Sequence, residues 1–303
     1  MRTRLTRRGF TTVELMVVLL VVGVVAGAIA GVLRRQQRFF ANASALVEQR
    51  VSLRDATGML PGEIRALSPA AGDVLAFSDS SLDIRATIGA AVACDTVAGG
   101  AALSLAPART RSLAPLVAYA TAPQTGDVAL IYDARVPDRA SDDTWIALDV
   151  ASVAPVTNVC AASPLIDADN VGAPRLQLRF TSAARVPPSV GPGTYVRILR
   201  RVRYRLYRAS TGEWYLGYSE WDGSAFGVVQ PVSGPFASYS RGGGSGLRLR
   251  YFDEQDTELS VAGDATRIAR VDVLARGVVR ETLSRSGAVQ SDSQAVGVRV
   301  RNR

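Results

Sequence analysis

The 303-residue chain is 48% hydrophobic, 20% charged and 7% aromatic, enough apolar material for one large domain or two ordinary ones and unlike a disordered segment. All 35 basic residues are arginine, and the absence of lysine and histidine excludes a Ser-His-Asp or Cys-His nucleophile, a lysine Schiff base, a P-loop lysine and any histidine metal ligand. Two cysteines exclude a Cys-rich zinc centre, and Arg2, Arg4, Arg7 and Arg8 supply half of the net +8, leaving thin grounds for nucleic-acid binding.

The first predicted element is a helix. Leu15–Leu33 is a run of nineteen residues without a charge; at ~1.5 Å per residue it spans about 28 Å, close to a hydrocarbon core of ~30 Å. Arginines precede it, and Arg34, Arg35 and Arg38 follow it, so the positive-inside count favours a cytoplasmic N-terminus only modestly. Glu14 opens the apolar run, where a carboxylate in the membrane is costly and marks function by default. A secretory signal fits the basic start and the Ala28-Ile29-Ala30 triplet, with a mature chain starting near Gly31. A twin-arginine signal fits Thr6-Arg7-Arg8-Gly9-Phe10, although Thr11-Thr12 stand where apolar residues belong. Both leave Glu14 without a role.

The octapeptide Arg8-Gly9-Phe10-Thr11-Thr12-Val13-Glu14-Leu15 resembles the prepilin cleavage and methylation motif of type IV pilins and pseudopilins. There a short basic leader ends in glycine, phenylalanine follows, and glutamate stands fifth in the mature chain. The match covers about 25 residues, and Thr11-Thr12-Val13 departs mildly from the usual threonine-leucine-isoleucine or -valine. The resemblance implies a leader at 1–9, cleavage between Gly9 and Phe10, N-methylation of Phe10 and a transmembrane, filament-core helix at 10–33. It implies as partners other pilin or pseudopilin subunits, a prepilin peptidase/methyltransferase and an inner-membrane assembly platform. Glu14 then docks subunits: cleavage creates a cationic amine at Phe10, which a neighbour's Glu14 neutralises. Gly23, Gly27 and Gly31 lie four apart and permit close helix packing in lipid, though glycine and alanine also simply abound in such anchors.

Residues 34–67 read as an amphipathic continuation. Leu46, Leu53, Leu60 and Leu67 recur every seven residues, with Val47 and Ile64 on the same face, and Pro61 is expected to kink or end the helix early. From Phe10 to Leu67 the rod would measure about 87 Å at ~1.5 Å per residue, and the leucine stripe calls for a covering sheet rather than a free coiled coil. Residues 68–303 read as a strand-rich extracytoplasmic head. Strands are predicted at Val74–Phe77, Leu82–Thr87, Val128–Tyr132, Thr144–Val150, Arg175–Phe180, Val196–Leu206, Trp214–Trp221, Leu247–Tyr251, near Leu259, Ile268–Ala275 and Val296–Val300. Their one-sided alternation predicts an antiparallel sheet with a wet face, on which Arg197, Arg201, Arg203 and Arg205 are expected to be solvated. The expected class is α+β, a long N-terminal helix packed on an antiparallel sheet. This order is similar to the pilin architecture, and the length leans toward a W-type minor pilin over a J-type pseudopilin.

On that topology Cys94 and Cys160 lie outside the cytoplasm, where an even pair suggests a disulfide; two buried free thiols are the alternative. Asp167–Gly172 starts like a calcium loop, but position five is Val171 and no glutamate stands at twelve, so no metal is expected. Asp138–Asp143 reads as a polar turn and Gly242–Gly246 as a flexible loop without the helix and lysine of a phosphate cradle. Glu213 and Glu220 are ordinary surface positions at a strand turn. No catalytic residue and no cofactor is expected, and the chain is read as structural, its rivals being a pilus-borne adhesin or DNA-binding subunit and an exported soluble protein.

Overall fold

A computed structural model describes residues 11–108, 115–135, 141–161, 163–166, 172–181, 183, 185–241, 244–260, 263–280 and 289–301. One long apolar N-terminal helix, α1 (Thr12–Ala66), precedes an antiparallel, strand-rich remainder, an α+β arrangement. The chain divides into two compact units, residues 1–51 with 278–292 and residues 52–277 with 293–303.

In the first unit every residue from Thr11 to Ala41 is exposed. Leu46 is half-buried, but Val47 is 61% exposed and does not join the expected leucine face. Arg50 Nε meets Asp292 Oδ2 at 3.4 Å, both well exposed, a pair worth at most about 1 kcal/mol.

In the second unit the end of α1 changes character. Leu53, Ala56, Leu60 and Ile64, spaced three and four apart, are buried, and Leu67 follows just past the helix end. Pro61 does not end the helix, which runs on to Ala66. A helical proline costs about 3 kcal/mol, and burial of Leu60 and Ile64 on either side returns ~1.5–3 kcal/mol each. After the helix, Ser68 N donates to Asp73 Oδ2 at 2.9 Å and fixes the turn into the strands.

The strands are β1 (Val74–Phe77), β2 (Ser81–Thr96), β3 (Ala102–Leu105), β4 (Val117–Tyr119), β5 (Val128–Asp133), β6 (Thr144–Val156) and β7 (Arg175–Phe180). There follow β8 (Tyr195–Arg208), β9 (Trp214–Glu220), β10 (Gln230–Phe236), β11 (Leu247–Phe252), β12 (Glu258–Leu259), β13 (Arg270–Arg280) and β14 (Val289–Arg299). They form two sheets rather than the single one expected: ten strands ordered β1-β2-β3-β7-β6-β5-β8-β9-β10 with β4 on β2, and four ordered β12-β11-β13-β14. Because β2 also pairs with β8, the path β2-β3-β7-β6-β5-β8 closes on itself as a six-stranded antiparallel ring. Two strands make closure possible by pairing different ring neighbours along successive parts of their length. β2 pairs β8 over Ser81–Val92 and β3 over Ala93–Thr96, with register shifts at Thr87/Gly89 and Ala93/Asp95. β6 changes from β5 to β7 at a shift between Val150 and Ser152. Such bulges bend a strand enough to turn a sheet back on itself.

Two apolar clusters result. One fills the ring with Ile88, Leu103, Leu105, Ile131, Leu148, Leu178, Phe180, Val196 and Ile198 among others. The other gathers the end of α1 with Ile84, Val202, Tyr204 and Leu216 of the large sheet and Leu249, Tyr251, Val271 and Val273 of the small one. Serine hydroxyls tie the helix to the sheet edge: Ser52 Oγ donates to Gly234 O at 2.8 Å and Ser233 Oγ to Ser52 O at 2.6 Å. β10, which carries Pro231 and Pro235, is an edge strand, where a missing N–H is tolerated.

Candidate functional site

The helix start is built by its own sequence. Gly9 and Phe10, the expected cleavage and methylation positions, lie outside the described residues. Thr11 precedes α1, and Glu14 N donates to Thr11 Oγ1 at 3.2 Å. In return Thr11 N and Thr11 Oγ1 donate to Glu14 Oε2 at 3.2 and 3.3 Å. This reciprocal pair is a capping box, Thr-x-x-Glu, satisfying backbone donors that a helix start leaves open, with an acid near the positive end of the helix dipole. Its signal in the sequence is the Thr11-x-x-Glu14 spacing, which the pilin-like motif overlies. The carboxylate thus has an intramolecular task that needs no neighbouring subunit.

Behind the cap, α1 contains a stretch of mean hydropathy 2.9 with none of it buried, long and apolar enough to cross a membrane. A Cβ added at Gly23, Gly27 or Gly31 meets nothing within 4 Å, so open space lies beside all three glycines. Ala28, Ile29 and Ala30 lie within the helix, all exposed.

Cys94 and Cys160 form a disulfide with Cα atoms 5.3 Å apart. Cys94 lies in the part of β2 that pairs β3, and Cys160 follows β6, so the bridge links β2 to the segment after β6. Ala106 is buried with the two cysteines, Leu116 and Val159 pack against them, and Cys160 N donates to Asp95 Oδ2 at 3.4 Å.

The arginine strand β8 is less solvated than expected. Arg200 falls on the inward series Val196, Ile198, Val202, Tyr204 and is buried between the two apolar clusters. Its Nε and Nη2 donate to the two oxygens of fully buried Asp127 at 2.8 and 2.9 Å. Nη1 donates to Glu220 Oε2 at 2.9 Å and Thr121 Oγ1 at 3.0 Å, and Nη2 also to Ala122 O at 2.8 Å. The bond to Asp127, above all, pushes the guanidinium pKa further up. Arg203 grips buried Asp83 with two bonds of 2.6 and 2.7 Å, and Arg201 reaches the same carboxylate at 3.5 Å. Phe226 covers Arg203 at 3.9 Å, and Trp221 lies 4.5 Å from Arg201. Arg197 bonds Thr87 Oγ1 at 2.7 Å and Arg208 bonds Gly212 O at 3.1 Å. Arg200, Arg201 and Arg203 are spent on internal carboxylates, which takes them away from a ligand.

Glu220 serves Arg200 and accepts from Tyr218 Oη at 2.9 Å, while Glu213 accepts from Tyr215 Oη at 2.8 Å. Among the described residues no three metal-ligating side chains come together. Asp167–Val171, Asp138 and Gly242-Gly243 lie outside the described residues; Asp143 accepts from Tyr132 Oη. No family model, no curated protein and no solved structure matches the chain.

Proposed function

We propose that the chain is a structural, non-enzymatic subunit of the type IV pilin-like family: a minor pilin, processed between Gly9 and Phe10 and incorporated at or near the tip of a type IV pilus, where it helps to initiate assembly. The observation that carries this reading is the single helix α1, whose first half is apolar and bare while its last turns complete a strand-rich core. Such a helix does two jobs in sequence. Leu15–Leu33 holds the precursor in the inner membrane, with Arg2, Arg4, Arg7 and Arg8 on the cytoplasmic side, and later packs against other subunits in the filament. Glu14 meets the amine of a neighbour's Phe10, and Gly23, Gly27 and Gly31 let neighbouring helices approach. The remainder lies outside the cytoplasm, where oxidising conditions suit the Cys94–Cys160 bridge. Partners are other pilin subunits, the prepilin peptidase/methyltransferase and the assembly platform; nucleic acid is not among them, because Arg200 and Arg203 of β8 are bonded to carboxylates of the chain itself.

Mass spectrometry of the intact protein and its N-terminal peptide, extracted from native membranes, tests the proposal. The expected chain begins at Phe10 with one methyl group on its amine. A start near Gly31, or an uncleaved terminus, overturns it. Cross-linking of the same preparation identifies the neighbours, and secretion-system partners would move the assignment to a J-type pseudopilin.

A further inference from the structure

Where α1 ends, a surface pocket is lined by Gly62, Arg65, Ala66, Arg197 and Arg301. The three arginines come from three separate elements: the last turn of the helix, β8, and the segment just after β14. Arg301 is fixed beside the helix end by its backbone, which donates to Arg65 O at 3.3 Å. Among the described residues neither Arg65 nor Arg301 has an ion pair, and Arg197 spends a single N–H on Thr87 Oγ1.

The charge here is not balanced from within. No described acid lines the pocket. The carbonyl end of a helix supplies about half a negative charge, against three guanidinium charges. Arg197 acts electrostatically on Asp73, on which Arg85 acts more strongly and which accepts from Ser68 N. Glu63, next in the chain to Gly62, interacts instead with Tyr204 and Tyr218. About two positive charges therefore remain around the pocket, carried by guanidinium groups from three separate elements. Forked donors of this type suit a tetrahedral oxyanion with several acceptor oxygens.

We propose that Arg65, Arg197 and Arg301 form a binding site for a phosphate dianion, free or as the terminal phosphate of a phosphomonoester. A Cβ added at Gly62 meets nothing within 4 Å, so open space for the anion lies beside it. This site is independent of the pilin reading, because its residues lie in the unit formed by 52–277 and 293–303.

The test is calorimetric titration of the full chain in uncharged detergent with inorganic phosphate and with glycerol phosphate, against sodium chloride at matched ionic strength. Saturable phosphate binding is expected, weakened about tenfold or more in Arg65→Gln and in Arg301→Gln, since one charge-assisted hydrogen bond is worth ~1.5–3 kcal/mol and ~1.4 kcal/mol is tenfold. Gly62→Glu, which sets a carboxylate in the pocket without a clash, should abolish binding while leaving the thermal unfolding curve in place. Arg248→Gln, on β11 away from the pocket, should bind as the wild type. Equal affinity for both probes assigns recognition to the phosphoryl group alone, and tighter glycerol phosphate binding assigns a phosphomonoester. Heats no different from those of chloride, or undiminished binding in the Gly62→Glu and arginine variants, would overturn the site.

Discussion

Glu14 accepts bonds from Thr11 in its own chain and, on the proposed function, a neighbour's amine in the filament. One substitution separates the tasks. Glutamine serves in a capping box as glutamate does, yet carries no charge. Glu14→Gln should therefore keep the helix content seen by circular dichroism while losing filament incorporation; normal incorporation would leave Glu14 with the cap alone. Arg200 poses the opposite question, since its bonds are all internal. Asp127→Ala removes the bidentate partner of a buried cation and should lower stability by about 3 kcal/mol or more, measured by urea unfolding. The double variant Arg200→Met, Asp127→Leu should recover most of that loss, because it leaves no fully buried charge unpaired, Glu220, the other partner of Arg200, being 35% exposed. Both residues were readable in part. Arg200 shares the even register of Val196, Ile198 and Val202, so an inward arginine was implied by parity, but its acid lies 73 positions away and no local pattern announces Asp127.

Among the elements, the helix was the most legible because its periodicity is local and long. What sequence spacing could not weigh was Pro61, whose cost is set by its own turn while the compensation comes from strands far along the chain. Short β3 and β4, and the proline-bearing β10, were missed for the same reason: each is held by its partner rather than by its own composition. The extents of β2 and β6 were also underestimated, since both continue through a bulge that flips their alternation. Cys94–Cys160 links the first of these strands to the segment after the second and closes a loop of 66 residues. By loop-closure entropy the bridge is worth about 4 kcal/mol. The double variant Cys94→Ala, Cys160→Ala should lose stability on that scale in urea unfolding, and reductant should destabilise the wild type but not the variant. Equal stability of the two oxidised proteins would mean that ring pairing alone holds the strands.

For the molecule as a whole, closure of the ring was beyond sequence inspection, because it depends on one pairing, β2 with β8, between segments about 115 residues apart. Its response to pH, in contrast, can be worked out from a few groups acting in opposite directions. Backbone bonds from Thr257, then Gln255, with Arg267 nearby, hold the Asp253 carboxyl below the usual range, and bonds from Thr266 do the same for Asp264. A bond from Arg250 lowers Glu258. Groups of this kind stabilise the fold above the unfolded carboxyl values near ~4, and their contribution is lost as the pH falls through their lower folded values. Glu63 acts in reverse. Burial raises its carboxyl, and its place in the last turn of α1, at the negative end of the helix dipole, works in the same sense. The stability it offers is full below the unfolded value near ~4.3 and disappears as the pH rises through its raised folded value. At pH 7 the wild type therefore carries a charged, desolvated Glu63. Glu63→Gln, with nearly the same helix propensity, mimics the protonated form at every pH. Thermal unfolding should show the variant more stable than the wild type at pH 7, with the difference closing below about pH 4. Equal melting temperatures at pH 7 would mean that water reaches the Glu63 carboxylate in full, and that the contact between the end of α1 and Tyr204 and Tyr218 is looser than its burial implies.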